Sequence, residues 1–483
     1  MGHRSTGSRR LVAVATAFWL LCGAGPAVAL EDGSALAAQP DIAAGIAALQ
    51  STIAASMAER EVPGLAIAVV VDQRLVWTKG FGRADLKTGA PVTPHTGFRI
   101  GSLTKLFTAT AIVQLRDAGR LRLDDPVSAS LPWFHLQAGP DDPPITLRDL
   151  LTHTSGLSRE SGASSWNDRR FPTEAELDAD LVEEPPALPP EMRWKYSNLA
   201  FAVAGQAVAA ISGESYGHYI GAHILAPLGM TETWPVPAAD LPGLATGHEP
   251  RYRGHREARG FIDLKALGPS GGTVSTVLDL ARFAAEQMRE TGPGAILRPS
   301  SLREMHRAQW VQPDFSAGQG LGFEVRRAGG QTFYGHGGSA GGYTGRLQID
   351  PALHMAVIVL TNAEDGGPNA VVDSAFRLLG PAIARVTLPP RPVPVPDPAW
   401  AKYIGTYASR TGESRIAIVD GELAWLPLDA ADPAKAKIVL KPVRPNVFRY
   451  DSGSLVGELV TFVLDAQGRV IRLDSVGYSD VRK

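Results

Sequence analysis

The sequence predicts an α/β (α+β) domain with a central antiparallel sheet flanked by helices, followed by a small β-barrel domain. Strand patterns lie near both ends of residues 40–385 and helical patterns lie between them, which implies one sheet completed by both ends of the domain. Residues 399–483 instead alternate apolar and polar positions in short runs separated by turn residues, a pattern typical of a small β-barrel or sandwich. The 483 residues also exceed one ordinary domain.

The predicted elements of the first domain follow in order along the chain. An alanine-rich helix covers 41–60, a hairpin pairs 65–71 with 75–77, and a buried helix follows Ser102. Residues 120–195 are polar and rich in proline, and their pattern leaves the structure open. The later predictions are helices at 199–212 and 276–288, strands at 322–325, 331–334, 344–349 and 355–361, and a closing helix at 370–379.

Two segments lie outside these domains. Residues 388–398 hold six prolines in eleven positions, which favours a semi-rigid extended linker. Residues 1–29 have the pattern of a signal peptide, because Arg9 and Arg10 precede an apolar run at 11–22 and small residues fit a cleavage site. The match to a twin-arginine signal is partial. An uncleaved anchor is the alternative, although the run is short for a membrane span. We therefore expect a periplasmic or secreted protein with no stable membrane span after cleavage.

Composition excludes several other classes of protein. Hydrophobic residues make up 44% of the chain and charged residues 20%, as in a globular protein with a large core. The formal net charge is −2, and we expect no nucleic-acid partner because the chain has no basic stripe. Cys22 is the one cysteine and no His-Glu-x-x-His occurs, so we expect neither a metal nor an organic cofactor.

Ser102-Leu103-Thr104-Lys105 places a hydroxyl and an amine three residues apart, on one face of a helix. A serine hydroxyl is a weak nucleophile until a base takes its proton. Burial lowers the pKa of a lysine, so that its neutral amine can be that base. Lys105 is the only lysine in the chain with a serine three residues before it.

Two further motifs follow in order. Tyr196-Ser197-Asn198 is the only Tyr-x-Asn in the chain, and His336-Gly337-Gly338 precedes an apolar strand. Together with Ser102 and Lys105 they resemble the active-site elements of the serine β-lactamase and penicillin-binding-protein superfamily. Its class C β-lactamase, D-aminopeptidase and family VIII esterase branches are the most similar, over roughly residues 40–385. The resemblance implies a β-lactamase/transpeptidase-like domain with an all-helical insertion, and residues 403–407 resemble the start of appended lipocalin-like barrels.

The resemblance also implies roles for these residues. Ser102 would form an acyl-enzyme, with Lys105 and Tyr196 sharing the proton transfers. Which of the two takes the first proton stays open, and a nearby ammonium would lower the pKa of Tyr196. Asn198 would bind a substrate amide and could also cap the following helix.

The His336 motif occupies the place of the Lys-Thr-Gly box of penicillin-recognising members. It lacks the threonine hydroxyl, and a histidine is charged only part of the time, which disfavours binding of a substrate carboxylate. Gly338 would let substrate approach the strand edge. The backbone N–H groups of Ser339 and Ser102 would form an oxyanion hole.

These observations predict an exported serine hydrolase, most consistent with an esterase or a D-aminopeptidase-type peptidase. Its partner would be a small acyl or amide substrate or a short peptide, and the oligomeric state stays open. A β-lactamase or D-Ala-D-Ala carboxypeptidase is one alternative, and a non-catalytic cell-wall-binding protein is another.

Other catalytic candidates in the chain are weaker. Ser270 and Ser339 each lie in a Gly-x-Ser-x-Gly match, but neither shows the strand, turn and helix of a nucleophile elbow. Asp149, His153 and Ser155 could suggest a triad, yet their segment resembles a scaffold segment of the superfamily.

Overall fold

The computed structural model describes residues 30–136, 139–184, 186–252, 255–290, 296–388, 394–410 and 412–483. The predicted signal peptide at 1–29 and part of the predicted linker at 388–398 lie outside this range. The chain divides into two compact units with the boundary after Leu388.

The α-helices of the described residues all lie in the first unit. They are α1 Ser34–Ala37, α2 Pro40–Arg60, α3 Thr104–Asp117, α4 Leu147–Thr152, α5 Glu174–Glu183, α6 Asn198–Ser212, α7 Tyr216–Ile220, α8 Ala226–Leu228, α9 Gly268–Gly271, α10 Val277–Gln287, α11 Pro299–His306 and α12 Pro368–Thr387. Two of them, α4 and α5, lie in the region 120–195 that the sequence pattern left open. Each begins with a capping box that satisfies the free N–H groups of its first turn.

The strands of the first unit are β1 Glu31–Asp32, β2 Gly64–Val71, β3 Arg74–Gly82, β4 Phe98–Arg99, β5 Gly247–His248, β6 Ala258–Arg259, β7 Val274–Ser275, β8 Trp310–Val311, β9 Ala317–Gln319, β10 Glu324–Ala328, β11 Gln331–Ser339, β12 Thr344–Asp350 and β13 Met355–Thr361. Nine of these described strands form one sheet in the order β1-β3-β2-β13-β12-β11-β10-β9-β8. All of its pairs are antiparallel except β1 with β3, so the predicted α/β fold with a mainly antiparallel sheet is confirmed. Two short pairs, β4 with β7 and β5 with β6, lie outside that sheet.

Strand β2 shows why the sheet forms where it does. Alternate side chains of a strand face opposite sides of a sheet. Ala66, Ala68 and Val70 face the core shared with α3 and α6, whereas Ile67 and Val69 face the core shared with α2 and α12. Both faces are therefore covered, and β2 is buried along its whole length.

Helix α2 is the described helix that is long and apolar enough to cross a membrane by length and composition alone. Ile42, Leu49 and Ile53 on one side of it are fully buried in the core between the sheet and α12. This packing accounts for the apolar composition of α2.

The second unit is a closed barrel of eight described strands. They are β14 Gly405–Ser409, β15 Gly412–Val419, β16 Glu422–Pro427, β17 Ile438–Arg444, β18 Val447–Tyr450, β19 Leu459–Leu464, β20 Val470–Ser475 and β21 Tyr478–Arg482. Pairing of β14 with β21 closes the barrel. Tyr403 stacks on Phe462 in its core, with ring centroids 4.4 Å apart, and the Tyr407 hydroxyl donates to the Tyr403 carbonyl. The predicted small C-terminal β-barrel is confirmed.

Candidate active site

Ser102 lies in a single 3₁₀ turn, Gly101–Leu103, that leads directly into α3. Gly101 has φ of 51°, in the left-handed region that favours glycine. A Cβ on Gly101 would lie 2.6 Å from the backbone nitrogen of Ser339 at the end of β11. The turn therefore holds the serine against the end of that strand, and the close approach requires glycine at position 101.

The side chains of Ser102, Lys105 and Tyr196 converge. The Tyr196 hydroxyl donates to Ser102 Oγ at 2.7 Å, and Lys105 Nζ lies 3.1 Å from the same oxygen. Lys105 follows one helical turn after the serine, whereas Tyr196 comes from the segment that precedes α6. A nucleophile and two proton-transfer groups thus lie within hydrogen-bond reach of one another.

Lys105 is fully buried, and its amine has three acceptors around it. Besides Ser102 Oγ, these are Asn198 Oδ1 and the Ser270 carbonyl, each at 2.7 Å. An ammonium can donate to all three. A neutral amine can donate to the two carbonyl oxygens and turn its lone pair toward the serine hydroxyl.

Burial shifts the two proton-transfer groups in opposite directions. It lowers the pKa of Lys105 well below its usual value, because the charged ammonium loses its hydration. It raises the pKa of Tyr196, because the phenolate would lose its hydration in the same way. The lowered pKa of Tyr196 that the sequence suggested is therefore wrong in this site. The resting pair is best described as a lysine ready to lose its proton and a tyrosine that keeps its own.

Asn198 contacts Lys105 through one end of its amide and Glu160 through the other. Its Nδ2 donates to Glu160 Oε1 at 2.6 Å. The helix cap that was considered for Asn198 belongs to Ser197, whose hydroxyl accepts from the backbone N–H of Ala200. The asparagine side chain is thus free of capping and belongs to the site.

His336 lies within β11 and is 2% exposed. Burial lowers the pKa of this histidine, so that the neutral form prevails at neutral pH. Its ring centroid is 6.3 Å from that of Tyr196. The strand continues through Gly338 to Ser339, five residues beyond the predicted strand end at 334, so the whole motif is held by sheet pairing with β12.

All seven predicted site residues lie around one centre, on the turn before α3 and the first turn of α3, at the entry to α6 and at the end of β11. The predicted scaffold role of His153 also agrees with the geometry. Its ring lies 4.3 Å from that of Tyr196, and its Nδ1 accepts from the Ser197 backbone N–H. His153 packs behind the tyrosine and orients it.

Sequence reasoning missed three contributors to the site. Glu160 binds Asn198, the Arg159 guanidinium lies 4.9 Å from the centroid of the Tyr196 ring, and the Ser270 carbonyl accepts from Lys105. A main-chain oxygen leaves no signal in a sequence. The one available signal for the two charged residues was their position directly after the scaffold segment 145–157.

The other nucleophile and metal-site candidates make different contacts in the structure. The Ser270 hydroxyl is buried and donates to the carbonyl of Leu267, the residue before α9. Two histidines five residues apart, His218 and His223, could suggest a metal site, but both contact Glu214 on the surface. Among the described residues no group of three or more His, Cys, Asp and Glu side chains is arranged to hold a metal ion.

Gly338 and Gly337 offer a matched test of the strand edge. A Cβ on Gly338 would lie 2.0 Å from the Ile100 carbonyl oxygen, whereas one on Gly337 would meet only the Arg346 side chain, at 3.4 Å. We expect Gly338→Ala to displace β11 from the nucleophile turn and to lower kcat by about 100-fold. Gly337→Ala should cause a much smaller loss. Steady-state kinetics and thermal unfolding of both variants are the measurements, and equal losses of kcat would contradict this account of the strand edge.

Sequence comparisons place the first unit in a known family. The family model described as Beta-lactamase matches residues 49–381. "Penicillin-binding protein 4" of Amycolatopsis lactamdurans is 29% identical over 376 residues, which cover 73% of this chain and 95% of that protein. "Putative beta-lactamase-like 1" of Homo sapiens is 27% identical over 374 residues, which cover 74% of this chain and 73% of that protein.

Solved structures agree with the sequence comparisons. The octameric penicillin-binding protein homologue from Pyrococcus abyssi superposes with a TM-score of 0.62 at 26% identity, covering 90% of this chain and 100% of that one. SurE, solved with D-Leu, superposes with a TM-score of 0.56 at 25% identity, covering 91% and 100%. The resemblance and the β-lactamase/transpeptidase-like fold are confirmed. This chain belongs to the beta-lactamase family, whose members are generally serine hydrolases related to penicillin-binding proteins.

Proposed function

We propose that this chain is an exported serine hydrolase that forms an acyl-enzyme on Ser102 and acts as an esterase or a D-aminopeptidase-type peptidase. The observation that carries the proposal is the fully buried amine of Lys105 at 3.1 Å from Ser102 Oγ, with the Tyr196 hydroxyl at 2.7 Å on the same oxygen. Export rests on the pattern of residues 1–29.

Acylation follows from the opposite pKa shifts of the two groups. Neutral Lys105 takes the Ser102 proton as the serine oxygen bonds to the substrate carbonyl carbon. Tyr196, which still holds its proton because burial raises its pKa, donates that proton to the leaving group as the bond to it breaks. The products are an acyl-serine, a lysine ammonium and a tyrosine phenolate, and the charges of the last two offset each other.

Deacylation reverses these roles. The Tyr196 phenolate takes a proton from water as the water oxygen bonds to the acyl carbon. The Lys105 ammonium returns its proton to Ser102 Oγ as the acyl bond breaks. The cycle ends with the neutral amine and the neutral phenol that began it, so protons and charges balance without another group.

The negative oxygen formed during both steps needs hydrogen-bond donors. Gly101 closely approaches the backbone nitrogen of Ser339, so the serine turn and the end of β11 lie side by side. The backbone N–H groups of Ser102 and Ser339 are the proposed donors. Removal of one such donor typically lowers the rate by about 10²–10³-fold.

The surroundings of His336 favour an ester or D-amino-acid amide over a substrate that must present a free carboxylate. The histidine is buried and its pKa is lowered, so it supplies no lasting positive charge. The neighbouring cation, Arg346, is paired with Glu324 at 2.5 Å. SurE, a structural neighbour at 25% identity, was solved with D-Leu, which supports D-amino-acid derivatives as candidate substrates here.

A β-lactamase or D-Ala-D-Ala carboxypeptidase is the second candidate. The similarity to a protein named penicillin-binding protein 4, over 95% of that protein, favours it. A non-catalytic cell-wall-binding protein is less well supported, because Ser102, Lys105 and Tyr196 are all present and within hydrogen-bond reach.

The nucleophile can be tested by covalent labelling. We expect a fluorophosphonate probe to label Ser102 and the variant Ser102→Ala to lose both the label and turnover, by about 10⁴-fold or more. Ser51→Ala, on the exposed side of α2, is the control and should keep both. Peptide mapping identifies the labelled residue. Undiminished turnover by folded Ser102→Ala would rule out the proposed function.

The substrate class can be tested on the wild-type protein. We expect turnover of p-nitrophenyl esters and D-amino-acid p-nitroanilides, with kcat/KM for nitrocefin lower by at least about 100-fold, since His336 is neutral and Arg346 beside it is paired with Glu324. Parallel absorbance assays measure all three. Turnover of nitrocefin as fast as that of the esters would favour the second candidate.

The pH dependence can be tested through Tyr196→Phe. The Lys105 ammonium is inactive as a base, so kcat/KM should fall as the pH drops through the lowered pKa of Lys105. Tyr196→Phe should lower kcat but keep this acid limb, because the lysine remains. The assay is a pH profile with p-nitrophenyl acetate. Loss of the acid limb in Tyr196→Phe would instead assign the first proton transfer to the tyrosine.

A further inference from the structure

Glu160 is a charged side chain at the site that the proposed proton transfers do not use. Its side chain is 21% exposed, and Oε1 accepts from Asn198 Nδ2 at 2.6 Å and from Trp166 Nε1 at 3.1 Å. The other oxygen, Oε2, is buried and has no hydrogen-bond partner among the described residues. Burying a carboxylate with one oxygen unsatisfied is unfavourable for folding, so the side chain calls for a functional explanation.

The backbone around Glu160 is fixed independently of its side chain. The Ser197 hydroxyl donates to the Ser158 carbonyl at 2.7 Å, and the Asn198 backbone N–H donates to the Arg159 carbonyl at 2.9 Å. The backbone of residues 158 and 159, directly before Glu160, is therefore attached to the start of α6. A change of the Glu160 side chain alone leaves these attachments in place.

The carboxylate decides which way the Asn198 amide points. A carboxylate only accepts hydrogen bonds, so the amide must present Nδ2 to Glu160 and Oδ1 to the Lys105 amine. With the amide reversed, two acceptors would face each other at one end and two donors at the other. Glu160 thus keeps an acceptor in front of Lys105.

We propose that Glu160 is a positioning residue of the hydrolytic site, which orients the Asn198 amide and places a negative charge beside the Lys105 amine. This inference rests on the proposed function, because it concerns the base of that reaction. Glu160 acts through its neighbours and does not touch the reacting atoms.

The charged neighbours of Lys105 shift its pKa in different directions, and these directions can be tested. Burial is the main cause of its lowered pKa, while Glu160 raises that pKa and Arg159 lowers it. From the sheet, Glu324 on β10 also raises it. His336 on β11 and His153 after α4 face the same region, and burial lowers the pKa of both, so they are neutral at neutral pH. Arg159 and Glu160, adjacent in the chain, therefore shift the pKa of Lys105 in opposite directions.

The test is the pH profile of kcat/KM for p-nitrophenyl acetate, which reports groups of the free enzyme. We expect Glu160→Gln, which keeps size and an acceptor but loses the charge, to move the acid limb to lower pH. Arg159→Gln should move it to higher pH. Glu160→Asp should return the limb toward the wild-type position, and Glu59→Gln on the far helix α2 should leave it unchanged.

Glu160→Ala separates the orienting role from the charge. Without an acceptor for Nδ2, the Asn198 amide is free to reverse, and we expect kcat to fall by up to about 100-fold with little change in KM. A merely structural role would lower the amount of folded protein and leave the pH profile of the remainder in place. Circular dichroism measures that folded fraction, and Arg159→Gln carries the test if a Glu160 variant does not fold, because Arg159 is largely exposed.

The outcomes distinguish this inference from the proposed function. If Glu160→Gln superimposes on the wild-type profile, or if it shifts in the same direction as Arg159→Gln, the role of Glu160 is wrong. The proposed function still stands after such a result, provided that Ser102→Ala is inactive in the same assays. Retained turnover by Ser102→Ala would remove the proposed function itself.

Discussion

The site depends on keeping the Lys105 amine out of water. Full burial disfavours its charge, and the carbonyl oxygens of Ser270 and Asn198 hold the amine in place beside the serine. The same burial keeps the Tyr196 proton on its oxygen. One physical effect, loss of hydration, thus produces a base and an acid from two groups that would both be protonated in water at neutral pH. The packing of α3 and α6 against the sheet excludes water from both groups.

Much of the fold and the convergence of the three side chains could be predicted from the sequence. The continuous apolar runs of β2 and β13 indicated buried strands, the prolines after 388 indicated the end of the first unit, and the spacing of Ser102 and Lys105 indicated one helical face. The state of Tyr196 could not be predicted, because it depends on how deeply the ring lies beneath His153 and Arg159. The strand end at Ser339 could not be predicted, because glycines at 335, 337 and 338 give no apolar strand pattern. The strand continues there because β11 pairs with β12.

Glu160 illustrates a different limit of sequence analysis. It lies after a segment with a recognisable pattern, but its contact with Asn198 depends on the attachment of residues 158 and 159 to the start of α6, which only the structure shows. In the proposed hydrolase, Lys105 acts as a base only at pH values above its lowered pKa. The oppositely charged residues at 159 and 160 shift the Lys105 pKa in opposite directions, so their substitution is a route to tune the enzyme that leaves the nucleophile untouched.

The pairing of β13 with β2 has a consequence for the order in which the first unit folds. The serine turn belongs to the first third of the chain, yet the strand end that it abuts is held through β12 and β13 by β2, across almost 300 positions of sequence. Such distant pairing forms late, because the long intervening loop must close first. A polypeptide that ends before Thr361 lacks part of β13, and with it part of the pairing that ties the end of β11 through β12 to β2.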